Sequence, residues 1–185
     1  RIGQAYATQL NINGWGKSSG WGWAAVSSTR GLESIYNNIG GLAYTPKTEI
    51  IFSRTSWLMG SDININTFGF AQNLGGNGVL GVSIMSYDMG DIEITTNDQP
   101  DGGLGTYKPS FTNITAAFSK QFTREISGGV GFKIFSESST NVKAQGVGLD
   151  AGIQYITTFK DKQKIKKNDV KFGVSLKNIG PDARY

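Results

Sequence analysis

The chain has 185 residues, with 26 glycines, 4 prolines, no cysteine, no histidine and a net charge of +4. Without cysteine or histidine there is no disulfide frame, no thiolate zinc site, and no imidazole to serve as general base or metal ligand. Only 17% of residues are charged, against about a quarter in ordinary soluble domains. Mean hydropathy is nevertheless −0.25, and no apolar run approaches the roughly 18 residues of a membrane helix.

In chain order, residues 1–28 are rich in Gly, Ser and Trp. A short helix is expected over 29–38. Thr29 can cap it, Leu32, Ile35 and Tyr36 share a face, and Asn37 and Asn38 close it, although Gly31 weakens it. Strands are expected over 49–58, 63–74, 78–88, 111–122, 126–137, 144–157 and 169–178, because apolar residues alternate there with small or polar ones. In 78–88, Leu80, Val82 and Ile84 fall on one face, and Gly81, Ser83 and Met85 on the other. Gly60-Ser61-Asp62, Gly75-Gly76-Asn77 and Thr123-Arg124-Glu125 read as short turns, and 89–110 as a long loop whose IEIT (92–95) prolongs the preceding strand. Connections 138–143 and 158–168 are longer than the short turns, and six lysines fall within 160–171, which reads as a solvated loop. Short turns on one side and longer loops on the other are the expectation for an up-and-down membrane barrel.

Fold class is therefore all-β. A soluble β-sandwich gives the same alternation in each strand, but these strands are long for one, at about ten residues against the usual five or six. Ten residues is also what a tilted strand needs to cross a bilayer, about 9–11. Trp57, Tyr87, Tyr107, Phe111, Phe122 and Tyr155 near strand ends fit interfacial aromatic girdles. Seven strands would leave an open sheet with unpaired backbone in lipid, and small bacterial barrels have even strand numbers. The expectation is that 49–185 covers about half of a barrel, incomplete at its C-terminal end, and that the start at Arg1 reflects a processed or truncated product.

Enzymatic motifs are weak. Gly16-Lys17-Ser18 lacks the glycine a P-loop needs at position 11, which is Asn11. Asp88, Asp91, Glu93, Asp98 and Asp101 do not have EF-hand spacing. No Ser-x-x-Lys pattern offers a base for serine hydrolysis. Asn113-Ile114-Thr115 is a glycosylation sequon by pattern only. No catalytic residue, metal, cofactor or nucleic-acid partner is expected.

The stretch 20–45, GWGWAAVSSTRGLESIYNNIGGLAYT, resembles the N-terminal hatch of the PorV/PorQ family, within the FadL-like outer-membrane barrels. That family carries a glycine-methionine-glycine turn, a short helix and an Asn-Pro-Ala-Gly-Leu motif. Here Gly20-Trp21-Gly22 and Asn38-Ile39-Gly40-Gly41-Leu42-Ala43 stand in those places, so Trp21 replaces the methionine and Ile39-Gly40 the proline and alanine. Stretches 68–95 and 170–181 are similar to the same family. The resemblance implies a transmembrane barrel of about fourteen strands when complete, with residues 1–48 as a hatch in the lumen. It implies that Leu32, Ile35, Tyr36, Asn38, Gly41 and Leu42 plug that lumen, although simple lumen packing explains them equally well. It also implies the outer membrane of a Gram-negative bacterium as location, with lipid, a large translocon barrel and exported cargo as partners in type IX protein secretion. A FadL-like transporter of hydrophobic molecules is the alternative, and a soluble β-sandwich binding module the third reading.

Overall fold

A computed structural model describes residues 7–22, 24–58, 60–139, 143–157 and 170–181. The lysine-rich connection 158–168 lies outside the described residues. Seven long strands follow one another as a meander: β1 (Thr48–Trp57), β2 (Ile63–Asn73), β3 (Val79–Asp88), β6 (Ser110–Gln121), β7 (Ile126–Ser138), β8 (Lys143–Thr157) and β9 (Val170–Ile179). They form one antiparallel sheet in that order. Chain neighbours are sheet neighbours throughout, so the long strands make no second sheet of the kind a sandwich requires. β1 and β9 are not paired with each other, and the sheet is open.

Three expectations change. The segment 92–95 does not prolong β3. β4 (Ile92–Glu93) instead pairs with β5 (Thr106–Tyr107) in a separate ribbon, after Gly90 turns the chain at φ 73°. The meander puts Gly60-Ser61-Asp62 and 89–109 at one end, and Gly75-Gly76-Asn77 and Thr123-Arg124-Glu125 at the other. The first end therefore joins a short connection with a long one. Tyr87 and Phe111 are buried and stack edge to face at 5.6 Å instead of standing in a girdle, whereas Trp57 and Phe122 are exposed.

The alternation sorts the two faces in an unusual way. On the open face, register sets Phe52, Phe68, Ile84, Ile114, Ile134 and Val147 side by side across six strands, each 39–68% exposed. The next row toward the β1 N-terminus is Ile50, Phe70, Val82, Ala116, Phe132 and Leu149. On the other side of the apolar band a polar row, Arg54, Asn66, Ser86, Thr112, Ser136 and Gln145, ends it. The covered face mixes small and polar residues, including Gly81, Ser83, Thr115, Ser119, Gly131, Lys133, Asp150 and Gln154, with buried hydrophobes such as Ile65, Met85, Phe111 and Phe135. Residues 7–47 lie against it and supply Leu10, Trp15, Leu32, Ile35, Tyr36, Ile39 and Leu42 to the core.

The Lys133–Asp150 ion pair lies in that covered face, with both side chains at most 3% exposed. Lys133 Nζ also donates to Asn178 Oδ1 (2.7 Å), and the Asn178 amide donates to Asp150 Oδ1 (2.7 Å). These bonds are what make two buried charges tolerable. Losing one partner strands the other. Lys133→Met is expected to destabilise the fold by about 3–5 kcal/mol, and Lys133→Met with Asp150→Leu by much less. Denaturant titration followed by tryptophan fluorescence reads the difference.

Candidate functional site

The candidate site is the contact between the N-terminal segment and the covered face of the sheet.

The segment does not form the single helix expected over 29–38. Two 3₁₀ turns, Gly31–Tyr36 and Ile39–Tyr44, meet at Asn37-Asn38. Gly31 has φ 71°, and the Leu32 amide is taken by the Glu49 carboxylate of β1 (2.8 Å) instead of by a helical carbonyl. Asn38 starts the second turn by accepting from the Gly40 amide (3.0 Å). Two further one-turn pieces, Thr8–Asn11 and Gly16–Ser19, were not foreseen, since their apolar residues show no helical period.

Glycines in the strands take the segment's side chains. A Cβ at Gly69 would lie 2.8 Å from the Trp15 ring, and one at Gly81 3.0 Å from Leu42. Cβ atoms at Gly129 and Gly131 would lie 2.6 and 2.5 Å from Ile39. Real Cβ contacts are essentially never as close as those at Gly69, Gly129 and Gly131, and rarely as close as that at Gly81, so these positions act as holes into which larger side chains fit, as tight packing demands. Asn38 fills the space beside Gly152, and the Val26 carbonyl that beside Gly173. Ile39, which stands where the resemblance would have proline, has its bulk matched by two glycines of β7.

Polar groups then tie the segment down. Asn38 Nδ2 donates to the carbonyls of Val26 (2.8 Å), Ile153 (2.9 Å) and Val174 (3.3 Å). Gln154 Nε2 donates to the Thr29 and Val26 carbonyls (2.9 and 3.1 Å), and Lys177 Nζ to the Tyr36 carbonyl (2.7 Å). Ser83 donates to the Tyr36 hydroxyl (2.9 Å), and Tyr36 stacks on Trp15 at 5.6 Å. Nearer the other end, Tyr87 donates to the Gln9 carbonyl (3.2 Å) and Gln9 to Glu137 (3.3 Å).

All six residues singled out from sequence meet here. Leu32, Ile35, Tyr36, Asn38 and Leu42 are at most 4% exposed, and Gly41 is buried with the Thr29 carbonyl against its Cα. The sequence reading missed the receiving half: Gly81, Gly129, Gly131, Gly152 and Gln154. Glycine within an alternating strand was the available signal, since it marks close approach of another part of the chain. The expected polar face is there in Lys133 and Asp150, while Lys171 stays exposed at the start of β9.

A cavity of about 230 Å³ opens beside the segment, lined among others by Lys17, Ser18, Trp21, Thr29, Arg30 and Glu33. It carries both signs of charge, whereas a carrier of hydrophobic solutes calls for apolar walls. Arg30 also lies over the Tyr44 ring at 4.5 Å. Burial holds the Glu33 carboxyl above its ordinary value, with Lys17 and Ser18 partly offsetting it. Burial likewise pushes the Tyr36 hydroxyl up. Among the described residues no group of carboxylates is placed to hold a metal ion. Asp88 pairs instead with Lys108 at 3.1 Å, and that exposed pair raises the lysine above its usual value.

No family model matches the chain, and no curated protein is similar enough to count as a match. Two outcomes follow from the geometry. Asn38→Ala, which takes a donor from the Val26, Ile153 and Val174 carbonyls and leaves Val26 only that of Gln154, is expected to cost about 1–3 kcal/mol and to speed tryptic cleavage at Lys17 and Arg30. Limited proteolysis with mass mapping measures it. Because the folded Glu33 pKa is raised, its destabilising effect is absent below the unfolded pKa and grows as pH rises through the raised value. Glu33→Gln is expected to stabilise the segment at neutral pH and to flatten that dependence in a pH series of proteolysis rates.

Proposed function

We propose that this chain is wall and plug of a transmembrane β-barrel in a bacterial outer membrane, and a non-enzymatic component or cargo shuttle of type IX protein secretion. One observation carries the membrane part: the open face of the sheet is an unbroken apolar band, while the opposite face is covered and sets buried charges, hydroxyls and glycines among its hydrophobes. In water this would be an exposed patch far larger than a soluble monomer tolerates. In lipid it is the seating surface of a barrel. No helix among the described residues is long and apolar enough to cross a membrane, which says nothing of strands.

The unpaired edges of β1 and β9 would close through further strands, since free ladder groups are not viable in hydrocarbon. Residues 7–47 would then lie in the lumen and stop leakage. Loops 89–109 and 139–142, at one end of the meander, would offer the surface for a translocon barrel or cargo. The secretion role itself rests on the resemblance at 20–45, 68–95 and 170–181. The charged lining beside the plug favours it over uptake of hydrophobic solutes.

Val82→Arg tests the membrane part. On an aqueous surface an exposed Val→Arg change is within about 0.5 kcal/mol of neutral, whereas on a lipid face it costs about 2–4 kcal/mol. The expected result is loss of flotation with phosphatidylcholine vesicles in Val82→Arg, with Ser86→Arg at the polar row floating normally. For the secretion part, mild-detergent extraction from envelope membranes followed by mass spectrometry is expected to recover a very large barrel or exported proteins. Recovery alone with lipid in the lumen favours the transporter instead.

A further inference from the structure

Lys120 stands where two cavities of opposite character meet. One is a groove of about 290 Å³ on the open face, walled by Phe118, Phe122, Val130 and Ile153 and floored by Gly128 and Ala151. Register explains its depth. Gly128 lies between Lys120 and Ile153, and Ala151 lies beside Val130, so two small residues are framed by large ones. Phe122 leans over Gly128 so closely that a Cβ there would be 2.9 Å from its ring. The other cavity, about 220 Å³, lies at the strand ends between the N-terminal segment and the sheet, where Ala43 and Val79 line it together with Asn73, three turn glycines, Gln121 and Lys120.

Among the described residues the ion pairs are Lys108–Asp88 and Lys133–Asp150, so Lys120 has no carboxylate of its own. Arg124 and Glu125 are exposed in the adjoining turn and cancel in charge. On β1 and β2 the same margin of the band carries the uncharged Thr48 and Gln72. Lys47 and Lys171 are exposed at the same end of the sheet but line neither cavity, so Lys120 is the cation of the groove, and beyond it lies the second pocket.

The geometry points to a binding site for one anionic glycerophospholipid, its acyl chain over Gly128 and Ala151, its phosphate on Lys120 and its headgroup in the pocket at Gly75-Gly76. An apolar trough that ends on an ammonium matches that chemistry in both shape and charge. The site rests on the reading that the open face lies in a bilayer. Bulk lipid can coat the whole band, whereas at Lys120 a trough and a cation adjoin.

The test is native mass spectrometry of the full chain in mild detergent, titrated with phosphatidylglycerol or with phosphatidylcholine of the same acyl chains. Phosphatidylglycerol is expected to be retained at about fivefold lower concentration. Lys120→Gln is expected to abolish that preference and leave phosphatidylcholine retention unchanged. Ala151→Leu, which fills the trough, is expected to lower retention of both. Equal retention by the native chain, a preference that survives Lys120→Gln, or retention unaffected by Ala151→Leu overturns the site. Failure to float with vesicles overturns the membrane reading as well. Flotation without headgroup preference overturns the lipid site alone.

Discussion

A sheet that turns its apolar side chains outward has to satisfy its polar side from within, and here residues 7–47 do that. Beside its own Ile65, Val79, Met85, Phe111 and Phe135, the covered face carries two buried charges, hydroxyls, an amide and a run of glycines, which need partners and filling. The N-terminal segment brings further hydrophobes. Trp15, Leu32, Ile35, Ile39 and Leu42 enter the spaces that glycines leave, and Asn38, Gln154 and Lys177 bond to carbonyls across the same contact. Apolar filling and polar satisfaction thus come from one piece of chain. Buried polar groups are costly unless paired, so the segment and the wall depend on each other for their conformation.

The strands were legible because their period of two persists for ten or more residues and each run ends at a glycine, an asparagine or a charged turn. All seven fall within two residues of their expected bounds at each described end. What a period of two cannot say is which face is inside. Leu80, Val82 and Ile84 read as a core stripe in isolation, yet they are the exposed side. Low total charge was the composition-level hint. The helix over 29–38 failed for a local reason: at Gly31 the chain takes a left-handed turn so that Leu32 can reach Glu49, and a tertiary bond outweighs a weak propensity.

Of the site, the inserted half was readable and the receiving half was not. Leu32, Ile35, Tyr36, Asn38, Gly41 and Leu42 stand in one short stretch, where a resemblance can be seen. Gly69, Gly81, Gly129, Gly131 and Gly152 are spread over four strands and become a single surface only once register is known. Gly60 and Gly75, which have positive φ in turns and open space around them, look the same in a sequence as glycines that receive a side chain. The distinction lies in the third dimension.

The Asn38 bonds also set an order of events. They join residues 115 and 136 positions apart in the chain, and Gln9 reaches Glu137 across 128. Contacts so remote in sequence form late, because the loop they close must first be ordered. The first part of the chain to be made therefore cannot finish docking until β8 and β9 are in place. In the meantime Ile39 and Asn38, whose partners lie on β7, β8 and β9, have nothing to meet, and whatever escorts the nascent protein has to shield its beginning until its later strands have assembled.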